Sequence, residues 1–161
     1  MDEFFAAPWQ ARVALCVLFT ALAASVVTDL RQRLILNAVT YPALALVFGC
    51  FLSLGGFALA AEALVGLLIC ALPLFLASLR GAMGAGDVKL MAVCGAVAGA
   101  AASWPFALTV LLYVSVAGGM QAVAWLLAAK VRGRARPEHV PYGVAIAAGT
   151  GAAFLWGTAL F

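Results

Sequence analysis

Apolar residues fill this chain in long runs at 11–28, 38–54, 57–79, 88–102, 106–129 and 142–160, separated by short polar or glycine-rich stretches. Each run approaches the ~17–25 residues that a helix needs to cross a hydrocarbon core of about 30 Å. Inside lipid no water bonds the backbone, so such runs form helices rather than open strands. The pattern predicts an all-α, polytopic membrane helical bundle of about six transmembrane helices, folded as a single domain over residues 1–161.

Composition narrows the class. With 67% hydrophobic and 9% charged residues among 161, the chain lacks the polar surface to cover a soluble globule. A net charge of +3 is too small to argue for nucleic acid, and no nucleic-acid partner is expected. The basic residues instead report topology. Arg31 and Arg33 fall in the gap at 30–37, Arg80 in the gap at 80–86 with Lys89 just beyond, and Lys130, Arg132, Arg134 and Arg136 in the gap at 130–141. The gaps at 55–56 and 103–105 carry no Lys or Arg. By the positive-inside rule the basic gaps are cytoplasmic and both chain ends lie on the far side.

Cys16, Cys50, Cys70 and Cys94 sit apart within apolar runs and form no CxxC pair, so they read as packing residues, with no metal site and no cofactor expected. Asp2 and Glu3 ahead of the first run do not make the basic region of a cleaved signal peptide, and the first span is expected to remain in the protein. Small residues in the later runs, such as Gly95, Gly99, Gly118 and Gly149, allow close helix approach, and Pro73 is expected to kink its helix.

Two carboxylates carry the candidate chemistry. Asp29 closes the first run in Val26-Val27-Thr28-Asp29-Leu30-Arg31, and Asp87 opens the fourth in Gly84-Ala85-Gly86-Asp87-Val88-Lys89. The topology puts both at the cytoplasmic ends of their helices, at similar depth. Two carboxylates held together do not both ionise easily, so one can act as base while the other donates a proton, the pairing that peptide hydrolysis requires. Charge placement alone leaves blander roles open: Asp29 as an interfacial partner of Arg31 or Arg33, and Asp87 as a helix cap favoured by the macrodipole. Gly84 and Gly86 would admit a substrate strand or a neighbouring helix beside Asp87. Lys89 could steady the charged form of Asp87 or snorkel to the headgroups.

The segment from Gly84 to Lys89 resembles the GxGDxK signature of the type IV prepilin peptidases, membrane aspartic proteases of the GxGD class. Asp29-Leu30-Arg31-Gln32-Arg33-Leu34-Ile35-Leu36-Asn37 is similar to the family's first motif, an aspartate closing a helix, a basic stretch, then an aliphatic residue, proline and asparagine. Leu36 stands where proline is usual. Pro141-Tyr142-Gly143 resembles the Pro-aromatic-Gly segment that opens the family's last span. The resemblance implies catalytic roles for Asp29 and Asp87, and substrate-binding or loop-shaping roles for Gly84, Gly86, Lys89, Asn37, Pro141 and Gly143. It is closest to the short tight-adherence (Flp-type) members, which lack the cysteine-bearing N-terminal domain linked to methylation; methyl transfer is therefore not expected. It implies prepilin and pseudopilin precursors as substrates, membrane lipid and pilus assembly machinery as further partners, and a place in the bacterial inner membrane with the site facing the cytoplasm.

Other readings stand beside it. A lipoprotein signal peptidase would carry its aspartates on the opposite face. A proton-coupled transporter would hold them nearer the bilayer midplane. A structural subunit would use them to tie helices together. Glu62, at the start of its run, and His139, in the basic gap with no second His or Cys nearby, read as structural or surface charge.

Overall fold

Among the described residues four helices follow one another: α1 (Trp9–Gln32), α2 (Asn37–Leu79), α3 (Ala85–Val131) and α4 (Tyr142–Trp156). The computed structural model describes residues 8–81, 83–131 and 142–157, among which there is no strand. Helices α1, α2 and α3 are long and apolar enough to cross a membrane, and α4 is a shorter apolar helix. Large apolar side chains point outward along the bundle, Phe57 at 86% exposure and Leu112 at 60% among them, a surface suited to lipid and not to water. The all-helical class expected from the apolar runs is the one observed among the described residues, and its long apolar helices are consistent with a membrane bundle.

A straight helix with the 43 residues of α2 would be about 65 Å long, twice the ~30 Å of a hydrocarbon core. The chain breaks instead. Gly56 takes φ 61° and ψ −152°, a conformation that only glycine reaches at low cost, and divides α2 in two. Ala102 and Ser103 divide α3, with Ser103 at φ 62°. Pro105 follows in the first turn of the resumed helix, where its missing N–H is no loss. The four helices thus hold six helical segments, parted where the polar and glycine gaps at 55–56 and 103–105 predict. Pro73 lies inside α2 with helical dihedrals, since only Gly56 departs from them there.

The segments pack antiparallel. In the second half of α2, the Glu62 carbonyl faces Gly99, Gly66 faces Gly95 and Gly99, and Cys70 faces Gly95. A Cβ on Gly66, Gly95 or Gly99 would strike backbone atoms of the facing helix, so this seam exists only because those positions carry no side chain. Helix α4 runs antiparallel to the second half of α3, with Tyr142 at Gly118 and Gly149 at Val114. It is also antiparallel to α1, with Gly143 at Asp29 and the rings of Phe154 and Phe19 6.2 Å apart. These pairings gather the end of α1, the starts of α2, α3 and α4, and Arg31, Arg33, Arg80 and Lys89 at one end of the bundle. The breaks at Gly56 and Ser103 lie at the other.

Candidate active site

Helix α1 runs on through Gln32, beyond the end expected at residue 28, so Asp29 stands one turn inside it. Its hydrophobic facing does not stop at the first polar residue: Ser25 and Asp29, one turn apart on the inner face, are both buried. Arg33 ends the helix in a left-handed conformation, its N–H donating to the Asp29 carbonyl at 2.9 Å. The Asp29 side chain, 7% exposed, accepts a hydrogen bond at Oδ2 from the Gly143 N–H at 2.7 Å. Gly143 is the second residue of α4, so this amide is one of the free donors of a helix N-terminus, where a carboxylate is favoured. A Cβ at Gly143 would stand 2.8 Å from that Oδ2 and 3.2 Å from the Asp29 Cβ, so only glycine lets the amide approach. The partner of Asp29 is this distant amide, and not Arg31 or Arg33.

Asp87 is the third residue of α3 and is partly buried. Its N–H donates to the Gly84 carbonyl at 3.2 Å, while the Gly84 backbone bonds its carboxylate in return. This reciprocal arrangement satisfies first-turn groups that would otherwise be orphaned. The cap role weighed for Asp87 is therefore present, and it fixes the carboxylate against its own helix start. The carboxylate nevertheless lies near enough to Asp29 for the two charges to act on one another. Tyr142 stands close enough to feel Asp87 as well, with its ring seated against Gly118, where a Cβ would come within 2.5 Å of the hydroxyl. Beneath Asp87 the connection from α1 passes by: Ile35, 8% exposed, lies where a Cβ on Gly86 would meet its own Cβ at 2.8 Å.

Lys89 takes neither Asp87 nor any other carboxylate among the described residues as its partner. Its Nζ donates to Asn37 Oδ1 at 2.7 Å and lies 5.1 Å from the centre of the Tyr41 ring. Asn37 and Tyr41 are one turn apart at the start of α2 and so present one face to the ammonium. At an exposed site such a cation–π contact contributes on the order of 0.5–1 kcal/mol. The pair joins the first turn of α2 to that of α3 and holds Asp87 by its helix.

Of the residues singled out in the sequence, Asp29, Asp87, Gly84, Gly86, Gly143, Asn37 and Lys89 all lie at this end of the bundle. Pro141, Arg132, Arg134, Arg136 and His139 lie outside the described residues, as does the end of the last apolar run. Leu36 has φ −74° and ψ 130°, values that a proline would adopt, so the departure from the motif keeps the backbone path. Ile35, Tyr41 and Tyr142 did not stand out as site residues. Tyr142 carried a signal as the aromatic of its motif, whereas the roles of Ile35 and Tyr41 depend on what crosses them in space.

A helical bundle with apolar outer faces, carrying two neighbouring carboxylates where several helix ends converge, defines a membrane protein with an acidic site. A sequence model of the type IV leader peptidase family matches residues 16–123, well over half of the chain, and the protein belongs to that family. It is on that ground a peptidase. The matched stretch takes in Asp29, Asn37, Asp87 and Lys89 and stops before Tyr142 and Gly143. No curated protein and no solved structure gives a significant match to the chain.

Proposed function

We propose that this protein is a membrane-embedded aspartic endopeptidase that removes the short basic leader from type IV, Flp-type prepilins and pseudopilins at the cytoplasmic face of the bacterial inner membrane. Asp29 and Asp87 form its catalytic dyad. The observation that supports the reading is that these two carboxylates, from α1 and α3, lie near enough to act on one another at the bundle end where Arg31, Arg33, Arg80 and Lys89 also gather. Two so placed carry one negative charge between them more easily than two. The ionised member takes a proton from a water molecule, whose oxygen attacks the scissile carbonyl. The protonated member donates to the carbonyl oxygen, giving a neutral diol; the member that took its proton from water then passes it to the leaving amine as the C–N bond breaks, and the diol returns a proton to the other carboxylate. The pair titrates as a unit, so acid and base are roles of the dyad and not of one residue.

The surroundings suit that chemistry. The Gly143 amide orients the Asp29 carboxylate, and the Gly84 backbone orients that of Asp87. The link from Lys89 to Asn37 and Tyr41 keeps the two helix starts in register. In this reading the six helical segments are six spans of one peptidase domain over residues 1–161, with both chain ends outside the cytoplasm. A basic leader would stay among cytoplasmic headgroups while the apolar helix behind it entered the bilayer, which brings the junction to the depth of the dyad.

The test is reconstitution of the purified protein in lipid with a precursor bearing a basic leader, followed by mass. The unsubstituted chain is expected to cut at the leader junction with a bell-shaped pH profile, while folded Asp29→Asn and Asp87→Asn variants are inactive. Full cleavage by either folded variant would overturn the dyad.

A further inference from the structure

We propose that the Tyr142 hydroxyl is a third catalytic group, one that donates a hydrogen bond to the oxygen of the scissile carbonyl while the two carboxylates move protons. The proposal rests on the peptidase reading above.

The phenol is brought to the dyad from two directions. Tyr142 opens α4 and precedes Gly143, whose amide donates to Asp29 Oδ2 at 2.7 Å, so the backbone of the tyrosine is tied to one carboxylate. Its ring turns onto the second half of α3, with the hydroxyl oxygen and one ring edge each 2.5 Å from where a Cβ on Gly118 would stand. Gly118 is buried, and the half-buried phenol seated on it lies near enough to Asp87 for that charge to act on it. One residue thus borders both carboxylates, Asp29 through its neighbour's amide and Asp87 through its own ring.

A tyrosine hydroxyl out of bulk water ordinarily has a partner. The hydroxyls of Thr28, Thr109 and Ser115 each donate to a carbonyl of their own helix, and the Lys89 ammonium donates to Asn37. The Tyr142 hydroxyl makes no hydrogen bond to a described residue, the two carboxylates included. It is a donor held by packing beside the dyad and not engaged by the protein. Its chemistry suits the carbonyl oxygen. As water attacks, that oxygen gains negative charge before the proton from the dyad has fully passed, and a hydrogen bond to it strengthens with the charge, so it favours the transition state over the bound substrate. The phenol keeps its own proton throughout, which leaves the proton count of the dyad unchanged. A neutral donor is also the right kind: an ammonium in its place would favour ionisation of both carboxylates, whereas the dyad works with one protonated.

Tyr142→Phe removes the oxygen and keeps the ring against Gly118. With the protein reconstituted in lipid and a precursor bearing a basic leader, this variant is expected to lower kcat about 10²-fold with KM within about twofold and unchanged thermal unfolding. A peptide spanning the leader junction, with a secondary alcohol in place of the scissile amide as a stand-in for the diol, is expected to bind the variant about tenfold more weakly. The uncut precursor, measured on Asp87→Asn chains, is expected to bind equally with and without Tyr142→Phe. Gly118→Ala pushes the hydroxyl aside and is expected to lower kcat about tenfold alone, but little further when combined with Tyr142→Phe.

A Tyr142→Phe chain that cuts with kcat within about threefold of the unsubstituted chain overturns the role of the hydroxyl and leaves the peptidase reading in place. So does a raised KM with kcat unchanged, which would make Tyr142 a residue of substrate binding alone. If Tyr142→Phe does not fold, Gly118→Ala carries the test, and unchanged kcat there overturns the proposal. An unsubstituted chain that neither cuts the precursor nor binds the alcohol peptide overturns the peptidase reading, and this proposal with it.

Discussion

The two halves of α3 have similar apolar composition and opposite surroundings. Residues 90–99 are buried without a break, whereas none of residues 119–131 is buried. The first half is the centre of the bundle, with the glycine seam of α2 on one side. The second half shows most of its surface to the outside. Neither half is amphipathic in the manner of a helix on a soluble protein, because a lipid-facing side is as apolar as a core-facing one. What distinguishes them is residue size: glycine and alanine where another backbone must come close, leucine, valine and tryptophan where only lipid must. Asp87 rides on the buried half, and Asp29 on α1 at the edge. The proposed dyad would therefore join a deeply buried element to one at the edge of the bundle, beside the start of α4.

The largest effect expected is on chemistry. Asp87→Asn and Asp29→Asn should each lower kcat/KM for precursor cleavage by about 10³-fold or more while leaving thermal unfolding in detergent nearly unchanged. If Asp29→Asn instead unfolds the protein, its role is to anchor α4 and the edge helix is architectural. The next effect sharpens the central half: Gly66→Leu or Gly95→Val should destabilise by about 3 kcal/mol or more, because the facing atoms are backbone and cannot turn aside. Denaturation in mixed micelles measures it, and unchanged stability would mean that the seam can open.

Gly143→Ala probes the contact between edge and centre. Its Cβ would stand 2.8 Å from Asp29 Oδ2, so turnover should fall about 10–100-fold at near-normal stability, as expected when a positioning contact shifts by a fraction of an ångström. Lys89→Met removes the bond to Asn37 and the contact with Tyr41 and should cost about 1 kcal/mol in stability with a severalfold loss of activity. A loss as deep as that of Asp87→Asn would mean that Lys89 acts on the dyad itself. The smallest effect is on the outer half, where Leu126→Ala should change stability by no more than about 0.5 kcal/mol.

Much of the architecture was legible along the chain. The apolar runs marked the helical segments because a bilayer imposes a length on each, and the breaks at Gly56 and Ser103 fell in gaps that advertise themselves by glycine, or by serine and proline. The two aspartates stood out because charge at the end of an apolar run needs a reason. The helix ends were less legible. Helix α1 reaches Gln32 because Asp29 faces inward and is bonded there, which the polar character of the residue concealed. Pro73, read as the site of a kink, lies within α2 without leaving helical dihedrals, as a proline can where neighbouring groups satisfy the freed backbone.

What the sequence determined by itself is set by local rules: the length of each apolar run, the residues able to turn between runs, and the gaps in which positive charge gathers. What only the tertiary structure decided is which groups meet. The Gly143 amide on Asp29 joins positions 114 residues apart, and the Lys89 ammonium on Asn37 joins positions 52 apart. Tyr142 beside Asp87, and Ile35 beneath Gly86, depend in the same way on how the helices are rotated and paired. Helix formation in lipid is settled within each segment, because every backbone group must find its partner there. The partners of side chains are settled between segments, by how closely two helices can approach and which faces they then turn to one another.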